Sequence, residues 1–212
     1  MTANYTIMRK LLLLPLLAGA MVACAKNDPK ADPTGKTLVV YFSNTPDLDA
    51  TSGATELYQY NGERVGATQF VAKHIIAETG ADEQRITVDP NRYPNDYDGL
   101  ATLSKSERDN NIRPALTSTH DLSDYQNIII GFPIWWYQMP MVMYSFFDQY
   151  DLSNKNVYVF TTHEGSGLNG SPSEIRALEP DANISDVGYD VRGTKASQDP
   201  SKISKWLKNI GL

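Results

Sequence analysis

The feature that most constrains the fold is a set of three continuous apolar runs, each about the length of a β-strand. They occupy residues 36–42, 127–132 and 156–160 and are rich in β-branched and aromatic side chains. A strand that is apolar on both faces is buried on both faces, which is typical of a parallel sheet covered by helices. The three runs therefore predict the centre of an α/β fold.

The segments between these runs supply helices and two weaker strands. Residues 66–80 carry apolar side chains at helical spacing and end in Gly80, a common helix stop. Further helices are predicted at 141–148, 173–178 and 201–210, weak helical spacing at 96–111, and strands at 85–88 and 184–191. Strands that alternate with helices in this way predict a doubly wound, three-layer α/β/α sandwich formed by residues 37–212.

The first residues have the layout of a secretory leader. Arg9 and Lys10 precede an apolar run that ends in small residues before Cys24. The run is too short to span a membrane as a helix, which needs ~20 apolar residues. Residues 21–24 (Met-Val-Ala-Cys) resemble a bacterial lipobox, so we expect removal of residues 1–23 and lipidation of Cys24. The alternative is a plain secretory signal in which Cys24 is incidental.

Residues 24–36 are polar and contain two prolines, which predicts a flexible tether after the lipidated cysteine. The leader and tether together predict a protein anchored by lipid in the bacterial cell envelope, on its periplasmic or surface side.

Composition excludes several classes of function. The chain has 25 acidic and 19 basic side chains, a formal net charge of −6, which becomes −8 when Arg9 and Lys10 leave with the leader. An acidic protein has no electrostatic basis for binding the phosphate backbone of nucleic acids. The single cysteine excludes an intrachain disulfide and a multi-cysteine metal site. No other spacing of His, Asp and Glu predicts a metal site.

Ligands of doubly wound sheets bind beyond the carboxyl ends of the strands, so the loops at that edge carry the functional signal. The first loop begins after residue 42 and resumes where a helix starts; its candidates are Ser43, Asn44, Thr45, Gly66, Ala67 and Thr68. Hydroxyls and backbone N–H groups at a helix N-terminus can bind an anion. Segments 43–45 and 66–68 contain no Lys or Arg, and no dinucleotide fingerprint or P-loop is present. The same residues are also ordinary turn and capping residues.

The second and third loops carry different chemistry. The second, residues 131–140, has three consecutive large aromatic residues at a strand end, which favours stacking on a flat ring, although core burial is the default for one tryptophan. The third, residues 161–171, is rich in glycine and hydroxyls and suits the polar edge of a heterocycle or a solvated connection. The candidates are Pro133, Ile134, Trp135, Trp136, Tyr137, Thr161, Thr162, His163, Glu164, Gly165, Ser166 and Gly167.

Taken in order, the three loops resemble the flavodoxin family. The resemblance is strongest to a bacterial branch with a Gly-[Phe/Tyr]-Pro-Ile-Trp-Trp loop and a Thr-His-x-Gly-Ser-Gly loop, matched here by residues 131–136 and 162–167. It extends from about Leu38 to Leu207, with supporting segments at 93–97 and 121–125.

This resemblance implies a five-stranded parallel sheet in the order 2-1-3-4-5 that binds FMN non-covalently. The first-loop candidates would hold the phosphate, residues 133–137 would flank the isoalloxazine ring, with Trp135 or Trp136 closest, and residues 161–167 would bond its pyrimidine edge.

The chain departs from the family pattern at three places. An insert at 46–65 splits the phosphate loop, and it contains Tyr58, Tyr60 and an Asn61-Gly62 turn that predict a short hairpin near the site. Residues 52–55 (Ser-Gly-Ala-Thr) could replace 66–68 as the second half of the loop, but the amphipathic helix follows residue 66. Tyr137 and Glu164 stand where family members often have glycine, and they add bulk and charge close to the ring.

Three functions follow as hypotheses. The first is an exported, lipid-anchored FMN protein that transfers electrons to a redox partner protein or a small acceptor. In that case the acidic side chains at 47, 49, 56 and 63 would aid docking of a basic partner. The second is an FMN-dependent oxidoreductase that passes electrons from NAD(P)H to a quinone or another small acceptor. The third is a lipoprotein that keeps the fold without FMN and binds another ligand or partner. An alternative role for His163 and Glu164 is an acid/base pair, although adjacent loop residues seldom point the same way.

Overall fold

The computed structural model describes residues 28–44, 57–198 and 200–212. In chain order its strands are β1 (Lys36–Phe42), β2 (Leu57–Tyr60), β3 (Glu63–Gly66), β4 (Asp82–Ile86), β5 (Tyr125–Pro133), β6 (Asn156–His163), β7 (Asn183–Ile184) and β8 (Tyr189–Arg192). Its helices are α1 (Ala67–Thr79), α2 (Tyr97–Asp109), α3 (Met141–Gln149), α4 (Ser171–Leu178) and α5 (Ser201–Ile210). The predicted leader, Cys24, Thr45 and residues 52–55 lie outside the described residues.

The main sheet is parallel and has the order β4-β1-β5-β6, with β7 and β8 both paired to β6. When β7 and β8 are taken as two halves of one fifth strand, this is the predicted order 2-1-3-4-5, so the fold prediction is confirmed. We call the edge where β1, β5 and β6 begin the amino edge, and the edge where they end the carboxyl edge. The strand order switches between β1 and β5, and the crevice at such a switch is where ligands bind.

Alternate side chains of the central strands enter two apolar layers on opposite sides of the sheet. Val39 and Tyr41 of β1 pack with α1 and α5, whereas Val40 and Phe42 pack with α2, α3 and α4. Complete burial of a large apolar side chain contributes about 1.5–3 kcal/mol. Because both faces of the strands are covered, these runs are apolar throughout, as the sequence indicated.

The insert in the first loop ends in the predicted hairpin. β2 and β3 are antiparallel, and Asn61 and Gly62 form the turn with φ of 49° and 87°. Two consecutive positive φ values fit a type I′ turn, for which Asn-Gly is the strongest local signal. The Tyr58 ring lies 4.7 Å from the Phe70 ring of α1, and the Tyr58 hydroxyl donates to the carbonyl of Gly193. The hairpin therefore packs beside the carboxyl edge.

Some element boundaries differ from the prediction. β4 lies at Asp82–Ile86 rather than at 85–88, because its main-chain pairing with β1 begins at Leu38 and Asp82. β4 is an edge strand, where polar side chains are tolerated, and its polar first residues gave no strand pattern in the sequence. β6 continues to His163, so residues 161–163 belong to a strand and not to a loop. The predicted strand 184–191 is broken because the Ser185 hydroxyl accepts the N–H of Val187 and residues 186–188 leave the ladder.

The described part of the predicted tether, residues 28–36, packs on the domain. Ala31 is 6% exposed, and its N–H donates to the carbonyl of Ile210 at 2.7 Å. The N–H of Asp32 donates to Oδ1 of the buried Asn127, and Nδ2 of Asn127 donates back to the Asp32 carbonyl, both at 2.9 Å. This segment is therefore bound to the amino edge instead of being free chain. Among the described helices, none has the length and apolarity to cross a bilayer.

Candidate functional site

A cavity of about 520 Å³ lies at the carboxyl ends of β1, β5 and β6. It brings together predicted residues of all three loops, namely Ser43, Asn44, Gly66, Ala67, Thr68, Pro133, Ile134, Trp135, Trp136, Tyr137, Thr162, His163, Glu164, Gly165 and Ser166. Two other predicted residues, Thr161 and Gly167, do not line it; the Thr161 hydroxyl donates to the Gly167 carbonyl at 3.2 Å and shapes the third loop.

One end of the cavity is formed by the start of α1. Gly66 precedes the helix in an extended conformation, and no side chain caps the helix through a hydrogen bond. The first N–H groups of a helix have no acceptor within the helix, and they carry the positive end of its dipole. The hydroxyls of Thr68 and Thr162 share a buried hydrogen bond of 2.6 Å that joins α1 to β6. This end of the cavity is therefore suited to an anionic group.

Arg85 lies behind the first loop, at the same end of the cavity as the start of α1. Its Nη2 donates to the carbonyl of Ser43 at 2.6 Å, and Arg85 lies opposite Tyr41 in the β1–β4 register. The described residues that line the cavity include no Lys or Arg. An anion here would meet neutral donors, with the charge of Arg85 behind the loop backbone. The sequence did not reveal Arg85, because its place depends on the pairing of β4 with β1.

The aromatic loop makes a tight turn at the rim of the cavity. The backbone groups of Trp135 and Gln138 pair at 3.0 and 3.1 Å, while Trp136 and Tyr137 between them have φ of 52° and 64°. A two-residue turn with both φ values positive is type I′, which normally takes Asn or Gly. A left-handed conformation costs about 1–2 kcal/mol for a residue with a Cβ atom.

Contacts from two neighbouring elements hold this turn in place. The indole N–H of Trp136 donates to Oγ of Ser104 at 3.1 Å and to the carbonyl of Ala101 at 3.2 Å, both in α2. The Arg108 guanidinium lies 5.5 Å from the centre of the Trp136 ring, a cation–π distance. The Asn169 side-chain amide donates to the carbonyl of Tyr137. The turn is thus fixed by side chains outside it.

The three aromatic residues have different surroundings. Trp135 packs edge-on against Phe42 and Tyr93 at centroid distances of 5.6 and 5.4 Å, so it belongs partly to the core. Trp136 is 39% exposed and Tyr137 is 76% exposed. One tryptophan is therefore structural, as expected, and the other two rings stand at the cavity rim.

Helix α2 forms one wall of the cavity, and no residue of this helix is among the predicted site residues. Tyr97, Leu100, Ala101 and Ser104 line it. They are spaced i, i+3, i+4 and i+7, so they occupy one face of the helix. That spacing was a usable signal, and the side chain of Asp96, which accepts the N–H of Gly99 at 2.7 Å, marks the start of the helix.

A buried carboxylate lies beneath this wall. Glu107 of α2 is 1% exposed and accepts hydrogen bonds from Nε and Nη2 of Arg92 at 2.8 and 2.6 Å. The Tyr93 hydroxyl also donates to it, at 3.1 Å. Burial, with the Glu107 charge beside it, raises the pKa of Tyr93, so its phenol remains a neutral donor. This network positions Tyr93 against Trp135.

His163 and Glu164 have separate partners. Nδ1 of His163 accepts the N–H of Gly165 at 2.8 Å, so Nε2 carries the proton and donates to Asp190 at 2.9 Å. A Cβ atom built on Gly193 would lie 2.8 Å from Oε1 of Glu164 and 3.8 Å from Cβ of Ala67. The Glu164 carboxylate therefore lies near the start of α1. The arrangement gives no support to an acid/base pair.

The sequence profile described as flavodoxin matches residues 57–210, most of the chain. The chain belongs to the flavodoxin family. Among curated proteins, no sequence match is found.

Solved structures agree with the family assignment. A Bacteroides eggerthii protein assigned as a flavoprotein is 27% identical with a TM-score of 0.63, over 84% of this chain and 98% of that one. A similarly assigned Bacteroides uniformis protein is 26% identical with a TM-score of 0.60, over 82% and 98%. A Lactobacillus acidophilus flavoprotein, crystallised in complex with FMN, shares the fold at 21% identity and a TM-score of 0.55, over 81% and 98%.

Within this flavodoxin-family fold, Gly131 at the start of the aromatic loop has a packing role. A Cβ atom at that position would lie 1.9 Å from the Phe160 ring of the neighbouring strand, which no side chain could tolerate. The glycine therefore allows β5 and β6 to approach beneath the cavity, and its presence in the motif does not by itself indicate ligand contact. Among the described residues, no cluster of His, Cys, Asp and Glu suited to a metal is present.

Proposed function

We propose that this flavodoxin-family chain binds FMN non-covalently in the cavity at the carboxyl edge and transfers electrons. The observation that carries the proposal is the convergence of three chemically different loops on one cavity of about 520 Å³. That volume lies within the range of cofactor sites. The Lactobacillus acidophilus flavoprotein of the same fold supports the choice of FMN over other anionic ring compounds.

The donors at one end of the cavity fit a phosphate ester. Ser43 and Thr68 supply hydroxyls, and the first turn of α1 supplies N–H groups and the helix dipole. The described lining residues include no lysine or arginine that could form an ion pair with the phosphate. These residues would bind the phosphate through neutral hydrogen bonds, with Arg85 behind Ser43.

The other end fits a flat aromatic ring. Trp136 is held at the rim by α2 and can stack on one face of the isoalloxazine. The backbone N–H groups of Glu164 and Ser166, which line the cavity, can bond its polar edge, whereas the N–H of Gly165 is already donated to His163. Bound FMN would supply the redox chemistry, and the protein would orient the ring and limit its access to water. The described lining residues include no lysine or arginine to stabilise extra negative charge on the ring, which favours a low reduction potential.

The proposal includes export and a lipid anchor at Cys24. The leader-like residues 1–23 and the lipobox-like residues 21–24 support it. A redox partner protein, or a small electron acceptor, would then meet the cavity outside the cytoplasm. Among the insert acids proposed to aid docking, Glu63 is exposed on the hairpin beside the carboxyl edge; residues 47, 49 and 56 lie outside the described part.

The direct test is flavin binding by the purified protein. We expect flavin absorbance, or saturable uptake of FMN at one molecule per chain when the apoprotein is titrated. Replacement of Trp136 by alanine should weaken FMN binding about three- to tenfold, the range of one aromatic contact. Ile112→Ala is the matched control, because Ile112 is also an exposed apolar residue, at 43%, but does not line the cavity.

Two outcomes would contradict the proposal. Absence of both colour and FMN uptake would favour a flavodoxin-fold protein with another ligand. Rapid consumption of NAD(P)H with a quinone by the FMN-loaded protein would instead favour the oxidoreductase hypothesis over the electron carrier.

A further inference from the structure

The segment that follows Cys24 is bound to the domain within a few residues. Both carboxylate oxygens of Asp28 accept hydrogen bonds, one from the Ser185 hydroxyl at 2.8 Å and one from the N–H of Asp186 at 2.6 Å. The N–H of Ala31 donates to the carbonyl of Ile210 at 2.7 Å, and Lys30 donates to the carbonyl of Asn209. The chain therefore contacts the domain from Asp28 onward, well before β1 begins.

These contacts all lie at the amino edge. Ser185 follows β7, which pairs with the first two residues of β6, and Asn127, the partner of Asp32, lies near the start of β5. Ile210 ends α5, which runs antiparallel to the strands. The cavity lies at the opposite end of the same strands. The nine residues of β5 span roughly 25 Å between the two edges, at about 3.3 Å per residue.

The bound segment shortens the connection to Cys24. From Cys24 to Asp28 the chain reaches at most about 14 Å, whereas a free tether from Cys24 to Lys36 would reach about 40 Å. A domain of this size is roughly 40 Å across. The short connection cannot let the domain turn over, because bringing the carboxyl edge to the membrane requires a tether about as long as the domain is wide.

We infer that lipidated Cys24 keeps the amino edge next to the membrane and directs the cavity into the aqueous compartment. The electron partner of this site is therefore a water-soluble protein or acceptor, and not a quinone within the bilayer. The orientation rests on the proposed lipidation and not on which ligand the cavity binds, whereas the nature of the electron partner rests on the proposed FMN binding as well.

Site-specific labels on the full, lipidated chain in vesicles test the orientation. Tyr137→Cys places a fluorophore at the cavity rim, and Asp124→Cys places one at the amino edge. Asp124 is 73% exposed and forms only a surface ion pair with Lys36, so its loss costs little stability. Lipidation consumes the Cys24 thiol, so one fluorophore per chain is expected. With a quencher on the lipid headgroups, we expect quenching at position 137 to be at least about threefold weaker than at 124, given the ~25 Å between the edges.

A longer tether provides the control. Insertion of twelve Gly and Ser residues between Asn27 and Asp28 should remove most of the difference between the two labels, since the domain can then turn freely. Equal quenching at both positions without the insertion would overturn this inference alone. Two fluorophores per chain and no binding to vesicles would show an unlipidated Cys24 and would overturn the anchor as well. Neither result bears on FMN binding, which the titration measures separately.

Discussion

Two neighbouring residues at the cavity rim, Trp136 and Tyr137, adopt a backbone conformation that bulky side chains avoid. Left-handed residues of this kind persist where the surroundings determine them, and they concentrate at ligand sites. Here two hydrogen bonds hold the conformation: the Trp136 indole N–H donates to Ser104 of α2, and the Asn169 side-chain amide donates to the carbonyl of Tyr137. The sequence could not predict this turn, because the usual signal for it is Asn or Gly, and these contacts come from residues distant in the chain.

Glu164 should weaken binding of the FMN phosphate. Its carboxylate lies near Gly193 and the first residue of α1, where the phosphate is proposed to bind. Like charges at a partly exposed site repel by a fraction of a kcal/mol to about 1 kcal/mol, so Glu164→Gln should tighten FMN binding about two- to fivefold at low salt. Fluorescence titration of the apoprotein measures the dissociation constant.

Riboflavin and salt distinguish this effect from a change in the ring site. Riboflavin lacks the phosphate, so Glu164→Gln should change its affinity much less than that of FMN, and high salt should reduce the difference for FMN. Asp186→Asn is the control. Asp186 is an exposed carboxylate at the amino edge, so its replacement should leave the affinities for FMN and riboflavin unchanged. An equal gain for both flavins would place Glu164 at the ring and not at the phosphate.

At the scale of elements, the sequence predicted what hydrophobic patterning controls and missed what polar contacts control. α5 is predicted with its observed bounds, because Ile203, Trp206 and Leu207 lie on one apolar face of a polar segment. α2 was only a weak helical pattern, since its cavity face mixes Tyr, Leu, Ala and Ser. The predicted range of β4 began three residues too late, because main-chain pairing with β1 sets the start of this strand and such pairing requires no particular side chains.

The ion pairs of α2 should differ greatly in their contribution to stability. Glu107 is buried with two bonds from Arg92 and one from Tyr93, so Glu107→Ala leaves the buried Tyr93 hydroxyl and the one-third-exposed Arg92 guanidinium without their acceptor and should lower the free energy of unfolding by about 2–3 kcal/mol. Asp109, on the exposed side of the same helix, pairs with Lys105, and Asp109→Ala should cost less than about 0.5 kcal/mol. Urea unfolding followed by tryptophan fluorescence measures both, and similar losses would show that the Glu107 network is not a structural support of the wall.

At the scale of the molecule, the two edges of the sheet differ in role: the carboxyl edge holds the cavity, and the amino edge binds the N-terminal segment 28–36. The apolar interiors of β1, β5 and β6 determine the three-layer fold, and this is why the fold could be predicted from three short runs. The edges carry polar side chains and, at the cavity, exposed aromatic rings, and the roles of these residues depend on contacts that form only on folding. The packing of residues 28–36 on the amino edge was therefore not predictable, because its polar, proline-containing sequence resembles free linker.

The stability of the whole domain should fall in mild acid because of two histidines. Burial lowers the pKa of His120 and of His74 below 6.5, so below about pH 6.5 the unfolded chain binds more protons than the folded chain. The free energy of unfolding should then decrease as the pH falls from 7.5 to 5. The aspartates whose pKa is lowered by hydrogen bonds to Thr34, Lys105 or serine residues lose their contribution to stability mainly below about pH 5, so they add little to the change between pH 7.5 and 5. Urea unfolding of the His74→Asn/His120→Asn double variant should show no decrease in stability from pH 7.5 to 5, because burial raises the pKa of Glu179 and the folded chain then binds more protons at that carboxyl than the unfolded chain does. A decrease in that variant equal to that of the natural chain would assign the acid sensitivity to other groups.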